Sequence, residues 1–240
     1  MTSIALNDSH RHGAAFRLAT ADAVLFDIDG TLVNSRDAVH YNAFHAALRK
    51  AWNIEDKIDT VPVHGNTDIG ILRAVAERHG ISSEDFSQAL PRALAVMREE
   101  AASHAAEMRP EVCPSIPDLL VRLKDAGKLL GIVSGNLEEI GWAKMRAAGL
   151  RAFFAFGSFS DSAELRADIF RRGIAEARRR LFQDATVCIV GDTPNDVSAA
   201  RENDVHVIST ATGIYNVEAL RACSPDLCVS CCTELLAEFA

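Results

Sequence analysis

The sequence predicts an α/β protein whose core is a doubly wound, Rossmann-like parallel sheet, with an α-helical cap domain inserted into it. Short and nearly continuous apolar runs end in polar or glycine clusters, which is typical of strands buried on both faces. Helical patterns lie between these runs, and alternating strands and helices indicate βαβ units. The predicted strands are residues 23–26, 129–133, 185–190, 205–208 and 227–232.

The predicted core helices have recognisable ends. The patterns at residues 117–126 and 137–148 each stop before a glycine, Gly127 or Gly149, which is a common way to end a helix. A third pattern, at residues 167–181, carries arginines on its polar side. In a parallel sheet of this kind, chemistry gathers at the carboxyl ends of the strands.

A long helical region separates the first two predicted strands. Strand signals are sparse in it, and it is too long for a simple crossover connection. We therefore expect a cap domain at residues 35–109, with helices at 38–52, 68–79 and 83–106. The same division assigns residues 1–20 to a leader and residues 21–34 and 110–240 to the core domain.

Composition restricts the partners that we expect. The formal net charge is -8 in 240 residues, and an acidic chain of this kind argues against nucleic acid as a partner. No apolar run reaches the roughly 18 residues of a membrane span, and the start of the chain does not resemble a secretory signal. Of the six cysteines, the four late ones match no common zinc spacing: Cys223, Cys228, Cys231 and Cys232. We expect a cytoplasmic monomer or homodimer with reduced thiols.

Two carboxylates follow the first predicted strand. Asp27 and Asp29 flank Ile28, and Gly30 permits a turn there. Carboxylates this close repel each other unless a cation lies between them or one holds a proton. Phosphoryl transfer can use both solutions, with one carboxylate attacking phosphorus beside Mg²⁺ and the other carrying a proton. Taken alone, the same residues also suit an ordinary turn.

A second acidic pair follows the third predicted strand. Asp192 and Asp196 would complete a cage of hard oxygen ligands for Mg²⁺. Asp196 can also serve as an N-cap for the helix that follows.

Ser134, Gly135 and Asn136 follow the second predicted strand and precede a helix. A hydroxyl and free backbone N–H groups at a helix start bind phosphate oxygens, although a loop cap would explain the same residues. Arg166 and Arg171 are the candidates to balance the charge of a phosphate.

In this order, the clusters around Asp27, Ser134 and Asp192 resemble motifs one, two and four of the haloacid dehalogenase superfamily. The resemblance extends from about residue 22 to the end of the chain, and the position of the cap resembles the subgroup that includes phosphoglycolate phosphatase. The third motif of the family usually has lysine. Here Arg166 occupies that position, with Arg171 as the alternative.

The resemblance implies specific roles for the four aspartates. Asp27 would be the nucleophile, a metal ligand and the carrier of an aspartyl-phosphate. Asp29 would be the general acid and then the base for water, and its backbone carbonyl would bind the metal. Asp192 would be a metal ligand, and Asp196 would support the water shell of the metal.

The resemblance also implies a set of residues that hold the phosphate and the substrate. Ser134, with Gly135 and Asn136, would bind the phosphoryl oxygens, and Thr31 would fix the motif-one loop. In the cap, Thr67 or its neighbour Asn66 would touch the substrate. The alternative for Thr67 is an N-cap of the helix that begins at residue 68.

These roles describe a magnesium-dependent phosphatase acting on a small phosphorylated metabolite such as phosphoglycolate. Asp29 favours phosphate esters, because relatives that cleave carbon–halogen bonds lack this aspartate. The alternatives are a sugar-phosphate mutase of the same superfamily and a degenerate member that binds ligand without turnover. A receiver-like signalling module is disfavoured, because such modules are shorter and have no cap.

Overall fold

The computed structural model describes residues 16–35 and 37–239. In chain order its strands are β1 (Ala23–Phe26), β2 (Val33–Ser35), β3 (Pro110–Val112), β4 (Leu129–Val133), β5 (Phe156–Ser158), β6 (Val187–Gly191), β7 (His206–Thr210) and β8 (Leu227–Val229). Six of them form one sheet in the order β5–β4–β1–β6–β7–β8, and every pair in it is parallel. The predicted α/β fold class is confirmed.

The central position of β1 brings the polar clusters together. Ala23 pairs with Leu129 of β4 on one side and with Val187 of β6 on the other. The three strands therefore end at the same edge of the sheet. The residues after β1, β4 and β6, which carry the sequence motifs, meet there.

The helices are α1 (Val39–Trp52), α2 (Asp68–Arg78), α3 (Ser83–Ser103), α4 (Ile116–Asp125), α5 (Glu138–Ala147), α6 (Arg166–Arg180), α7 (Pro194–Glu202) and α8 (Val217–Ala222). Alternate residues of β1 face opposite layers. Val24 and Phe26 pack with apolar residues of α4 and α5, whereas Ala23 and Leu25 pack with those of α6 and α7. Helices thus cover both faces of the sheet, as a doubly wound fold requires.

The helical insert, residues 37–109, has an apolar cluster of its own. Phe44, Leu72, Phe86 and Met97 lie at its centre. The antiparallel pair β2–β3 joins the insert to the core, and it lies at the predicted domain boundaries. Leu137 and Ile140 at the start of α5 also belong to this cluster, so α5 packs against both parts of the chain.

The ends of the described chain pack on the core. Leu18 is fully buried, and the backbone N–H of Ala19 donates to a carboxylate oxygen of Glu238 near the end of the chain. Residues 16–20 of the predicted leader thus contact the core, while residues 1–15 lie outside the described part. All six cysteines are unpaired thiols. No helix in the described ranges has the length and apolar character needed to cross a membrane.

Candidate active site

Three buried carboxylates meet at the carboxyl edge of the sheet. Asp27 follows β1, Asp192 follows β6, and Asp196 lies in the first turn of α7. An oxygen from each lies within 4.8 Å of the others, and all three residues are buried. We call these three residues the acidic cluster. Gly30 has φ +85° and would place a Cβ against the Asp192 carboxylate, so this close approach of the backbone requires glycine.

Arg166 is the cation that contacts the acidic cluster. It is the first residue of α6, and its Nη2 lies 2.8 Å from Asp27 Oδ2 and 2.6 Å from Asp196 Oδ1. Arg171, the alternative from the sequence, pairs instead with Asp168 at the surface. The structure therefore brings Arg166, and not Arg171, to the place where the sequence required a positive charge.

One guanidinium does not balance three carboxylates. Burial raises the pKa of Asp27 to about 6, even though the neighbouring Arg166 lowers it. Burial, together with repulsion from Asp196 and Asp27, raises the pKa of Asp192 to about 8. Clustered carboxylates with raised pKa values are what a divalent cation with a preference for oxygen ligands would stabilise. The acidic cluster therefore fits Mg²⁺ by its charge and by its ligand type.

Asp196 and Thr31 hold the acidic cluster in place. Asp196 Oδ2 accepts from the backbone N–H of Thr193, whose side chain in turn caps α7, so the two residues form a capping box. The N-cap of α7 is therefore Thr193 and not Asp196, which is the third residue of the helix and also belongs to the acidic cluster. Thr31 is fully buried and donates from Oγ1 to Asp192 Oδ1 at 3.0 Å. Thr31 therefore orients a carboxylate of the acidic cluster and does not line the cavity, so the structure does not place it where it could touch a substrate.

Asp29 points away from the acidic cluster and into a second group of polar residues. Lys144 Nζ lies 2.8 Å from Asp29 Oδ1 and 2.7 Å from Asp29 Oδ2. The same ammonium lies 2.8 Å from Asn136 Oδ1 and 3.1 Å from His40 Nδ1. We call Asp29, Asn136, Lys144 and His40 the Lys144 cluster.

The Lys144 cluster favours the ionised form of Asp29 in the absence of substrate. Burial opposes ionisation, but the charges of Lys144 and His40 outweigh it, so the pKa of Asp29 is lowered. The side chain of Asp29 is 42% exposed, whereas that of Lys144 is 4% exposed. Asp29 therefore faces the opening of the site, and Lys144 lies behind it.

Lys144 and His40 are the functional candidates that the sequence analysis did not assign. Lys144 lies four residues after the buried Ile140 on α5, so helical periodicity alone places it on the buried face. His40 lies on α1 of the insert, and its Nε2 is 3.1 Å from Asp68 Oδ2. That carboxylate also accepts from the backbone N–H of Leu137 at 2.8 Å. The insert and the core thus share one hydrogen-bonded network.

The loop after β4 lies between the two clusters. Ser134 is fully buried, and its Oγ accepts from Asn136 Nδ2 at 2.8 Å. Asn136 Nδ2 also donates to Asp29 Oδ2 at 2.8 Å. A Cβ on Gly135 would collide with the carbonyl oxygen of Asn66. Glycine here lets the insert approach the core closely.

Thr67 takes the capping position that the sequence analysis held as its alternative. Its side chain accepts from the backbone N–H of Gly70 as the N-cap of α2, and it donates to the carbonyl of Glu164 at 2.6 Å. Thr67 is 1% exposed. Its neighbours Asn66 and Asp68 line the cavity.

A cavity of about 330 Å³ lies between the core and the insert. Asp27, Asp29, Ser134 and Lys144 line its polar side. Apolar side chains of the insert, including Phe44 and Ile71, line the other side. This volume is near the lower end of the range for ligand pockets, about 300–1,000 Å³. The cavity therefore suits a small ligand.

The chain belongs to the haloacid dehalogenase-like hydrolase family, whose model matches residues 21–204. The match includes β1, the insert and the acidic cluster. It confirms the family that the three motifs indicated.

Two curated relatives are phosphatases by name. The chain is 26% identical over 216 residues to a probable phosphatase, IndB, of Dickeya dadantii strain 3937, covering 89% of this chain and 91% of that protein. It is 27% identical over 217 residues to a phosphoglycolate phosphatase of Synechococcus elongatus, covering 89% and 95%. The predicted enzyme class, a phosphatase of this family, is confirmed.

A solved structure shares the fold. CbbY from Rhodobacter sphaeroides, determined in complex with phosphate, superposes with a TM-score of 0.67 at 20% identity. The alignment covers 91% of this chain and 99% of that one. At this identity the likeness establishes the fold alone.

Proposed function

We propose that this phosphatase hydrolyses a small phosphate monoester of the phosphoglycolate type, with Mg²⁺ and through an aspartyl-phosphate on Asp27. The observation that carries the proposal is the acidic cluster, three buried carboxylates with Arg166 as their contacting cation. Two of the three, Asp27 and Asp192, line the small cavity. Asp27, Asp192 and Asp196 would hold Mg²⁺. When bound, the ion would supply positive charge to the carboxylates and to the phosphoryl oxygens.

The first half-reaction would use the two aspartates of motif one. The negative charge of a bound phosphate would raise the pKa of the neighbouring Asp29, which would then take up a proton when the ester binds. A carboxylate oxygen of Asp27 attacks phosphorus, the bond from phosphorus to the ester oxygen breaks, and protonated Asp29 gives its proton to that oxygen. Asp27 and Asp29 both line the cavity, so one ester can meet both. Ser134 and the backbone N–H groups that follow it would hold the phosphoryl oxygens.

The second half-reaction would restore both residues. Asp29, now a carboxylate, takes a proton from a water molecule, and the water oxygen attacks phosphorus of the aspartyl-phosphate. The bond from phosphorus to Asp27 breaks, and inorganic phosphate leaves. Asp29 is partly exposed, which gives water a path to the base.

Phosphate release from a panel of small phosphate esters, with Mg²⁺ or with a chelator, tests the proposal. We expect release that depends on Mg²⁺, with 2-phosphoglycolate among the better esters, and poor support by Ca²⁺ because its looser coordination spoils the geometry of attack. The matched control is Asp27→Asn. Folded wild-type protein that releases no phosphate from any ester, or that releases it equally with the chelator, would refute the proposal.

A further inference from the structure

We propose that Lys144 determines substrate specificity by binding an anionic group on the leaving group. The enzyme would then select phosphate monoesters that carry a carboxylate one carbon away from the ester oxygen. The inference rests on the proposed function and names the substrate class for the same cavity. Three features of the cavity support this role: the position of Lys144, the distribution of cations around the lining and the apolar side chains on the opposite wall.

The cavity has two buried cations with different partners. Arg166 and Lys144 are the only lysine or arginine side chains among the described residues that line it. Arg166 contacts two carboxylates of the acidic cluster. Lys144 contacts one carboxylate, that of Asp29, which is itself partly exposed. Lys144 is therefore the cation with the fewer anions around it, and it borders the cavity.

The reaction geometry places the leaving group beside Lys144. An acid that protonates the leaving oxygen must come within about 3 Å of that oxygen. Lys144 Nζ lies 2.7 Å from the nearer oxygen of Asp29, so it is at most about 6 Å from the leaving oxygen. An anion on the adjacent carbon can span this gap.

Elsewhere the described lining of the cavity has no further lysine or arginine, and the polar residues of the insert that line it include Tyr41 and His64. Phe44, Ile58 and Ile71 of the insert line the cavity opposite the strand ends. Burying an unpaired carboxylate against apolar side chains is costly. Burying an ammonium is costly too, and Lys144 is 3% exposed. The alternative is that Lys144 merely orients Asp29 and Asn136, and the experiment must separate these two roles.

The experiment compares 2-phosphoglycolate with its neutral carboxamide, which has the same size and the same phosphate. The value of kcat/KM for each ester is measured with Mg²⁺ in the wild type, in Lys144→Met and in the control Lys50→Met, whose side chain is exposed on α1. A charge-assisted contact is worth about a 10- to 100-fold preference for the acid. We expect the wild type and Lys50→Met to show this preference and Lys144→Met to lose it.

A purely orienting role for Lys144 would lower kcat/KM for both esters by the same factor. That result, or a wild type that does not prefer the acid, would overturn the inference. Lys144→Gln, which keeps polar contacts without the charge, replaces the methionine variant if that variant does not fold.

A binding measurement separates the inference from the proposed function. Calorimetry on Asp27→Asn, with and without Lys144→Met, gives the affinity for each ester in the presence of Mg²⁺. We expect tighter binding of the acid only where Lys144 is present. If the wild type hydrolyses neither ester, the proposed function fails, and the affinities still decide the role of Lys144. Equal affinities for the acid and the amide with Lys144 present would overturn it.

Discussion

The acidic cluster and the Lys144 cluster lie on the same cavity but differ in charge and in origin. The acidic cluster comes entirely from the core and sets three carboxylates against one guanidinium. The Lys144 cluster pairs one carboxylate with one ammonium and takes His40 from the insert. The first carries an excess of negative charge. In the second, the charges of Asp29 and Lys144 cancel only while Asp29 is ionised. In the proposed function both clusters serve one reaction, and only the Lys144 cluster includes a residue of the insert, His40.

The largest effect that we expect is from Asp27→Asn. Removing the nucleophile should lower kcat by at least about 10⁴-fold, because an amide oxygen attacks phosphorus poorly. Asn preserves the shape of the side chain, so the thermal unfolding midpoint should stay close to that of the wild type. Steady-state phosphate release and circular dichroism check the two expectations. Activity near the wild-type value would show that Asp27 is not the nucleophile, and the acidic cluster would then not be the site of attack on phosphorus.

The next effect is from Asp29→Asn in the Lys144 cluster. Loss of a general acid typically lowers the rate by about 10²–10⁴-fold. The loss should be large for alkyl esters, whose leaving oxygen needs a proton, and smaller for an aryl ester such as p-nitrophenyl phosphate. Rates for the two ester types measure this difference. The same loss for both would mean that Asp29 supports the site without donating a proton.

The comparison of the two clusters also shows what a sequence can predict. Asp27 and Asp192 follow buried strands, and a glycine lies close to each in the sequence: Gly30 is three residues after Asp27, and Gly191 directly precedes Asp192. Because parallel strands end at one edge of a sheet, the sequence order was enough to bring Asp27 and Asp192 together. Buried apolar runs also predicted five of the six strands of the sheet. β5 was missed because it has three residues, Phe156–Ser158, and includes a glycine.

The Lys144 cluster could not be predicted in the same way. Its members come from the loop after β1, the loop after β4, α5 and α1, and all four meet only because the insert packs on the core. His40 was one of several histidines in the predicted cap, and nothing local distinguished it. The four-residue spacing from Ile140 does place Lys144 on the buried face of its helix. A lysine on such a face, however, normally extends its aliphatic chain so that the ammonium reaches solvent. Here the ammonium is buried instead.

Replacing each of the two buried cations in turn tests how far the stability of each cluster depends on its cation. Arg166→Gln leaves the carboxylates of the acidic cluster uncompensated and should lower the free energy of unfolding by about 3–5 kcal/mol without Mg²⁺. Lys144→Gln leaves only the partly exposed Asp29, and its cost should be about 1 kcal/mol. Urea unfolding at neutral pH, with a chelator present, measures both. If Lys144→Gln lowered the free energy of unfolding more than Arg166→Gln, the Lys144 cluster would be the one that depends more on its cation, contrary to this expectation.

The smallest effect is the dependence of metal stabilisation on pH. Folding raises the pKa of Asp192 from its ordinary value of 3.8 to about 8, so the folded state holds a proton that the unfolded state has released. This contribution to stability is complete below pH 3.8 and is lost as the pH rises toward 8. Without metal, the acidic cluster should therefore lower the free energy of unfolding more at pH 8 than at pH 5. Mg²⁺ competes with the same protons, so it should stabilise the protein more at pH 8.

At a Mg²⁺ concentration about 100 times its Kd, binding is worth about 2.7 kcal/mol, or roughly 5–10 °C in Tm for a chain of this length. We expect a shift of this size at pH 8 and a smaller one at pH 5, measured by thermal unfolding with Mg²⁺ and with a chelator. Asp192→Asn is the matched control and should lose most of the shift at both pH values. An equal shift at pH 5 and pH 8 in the wild type, or an undiminished shift in Asp192→Asn, would place the bound Mg²⁺ outside the acidic cluster.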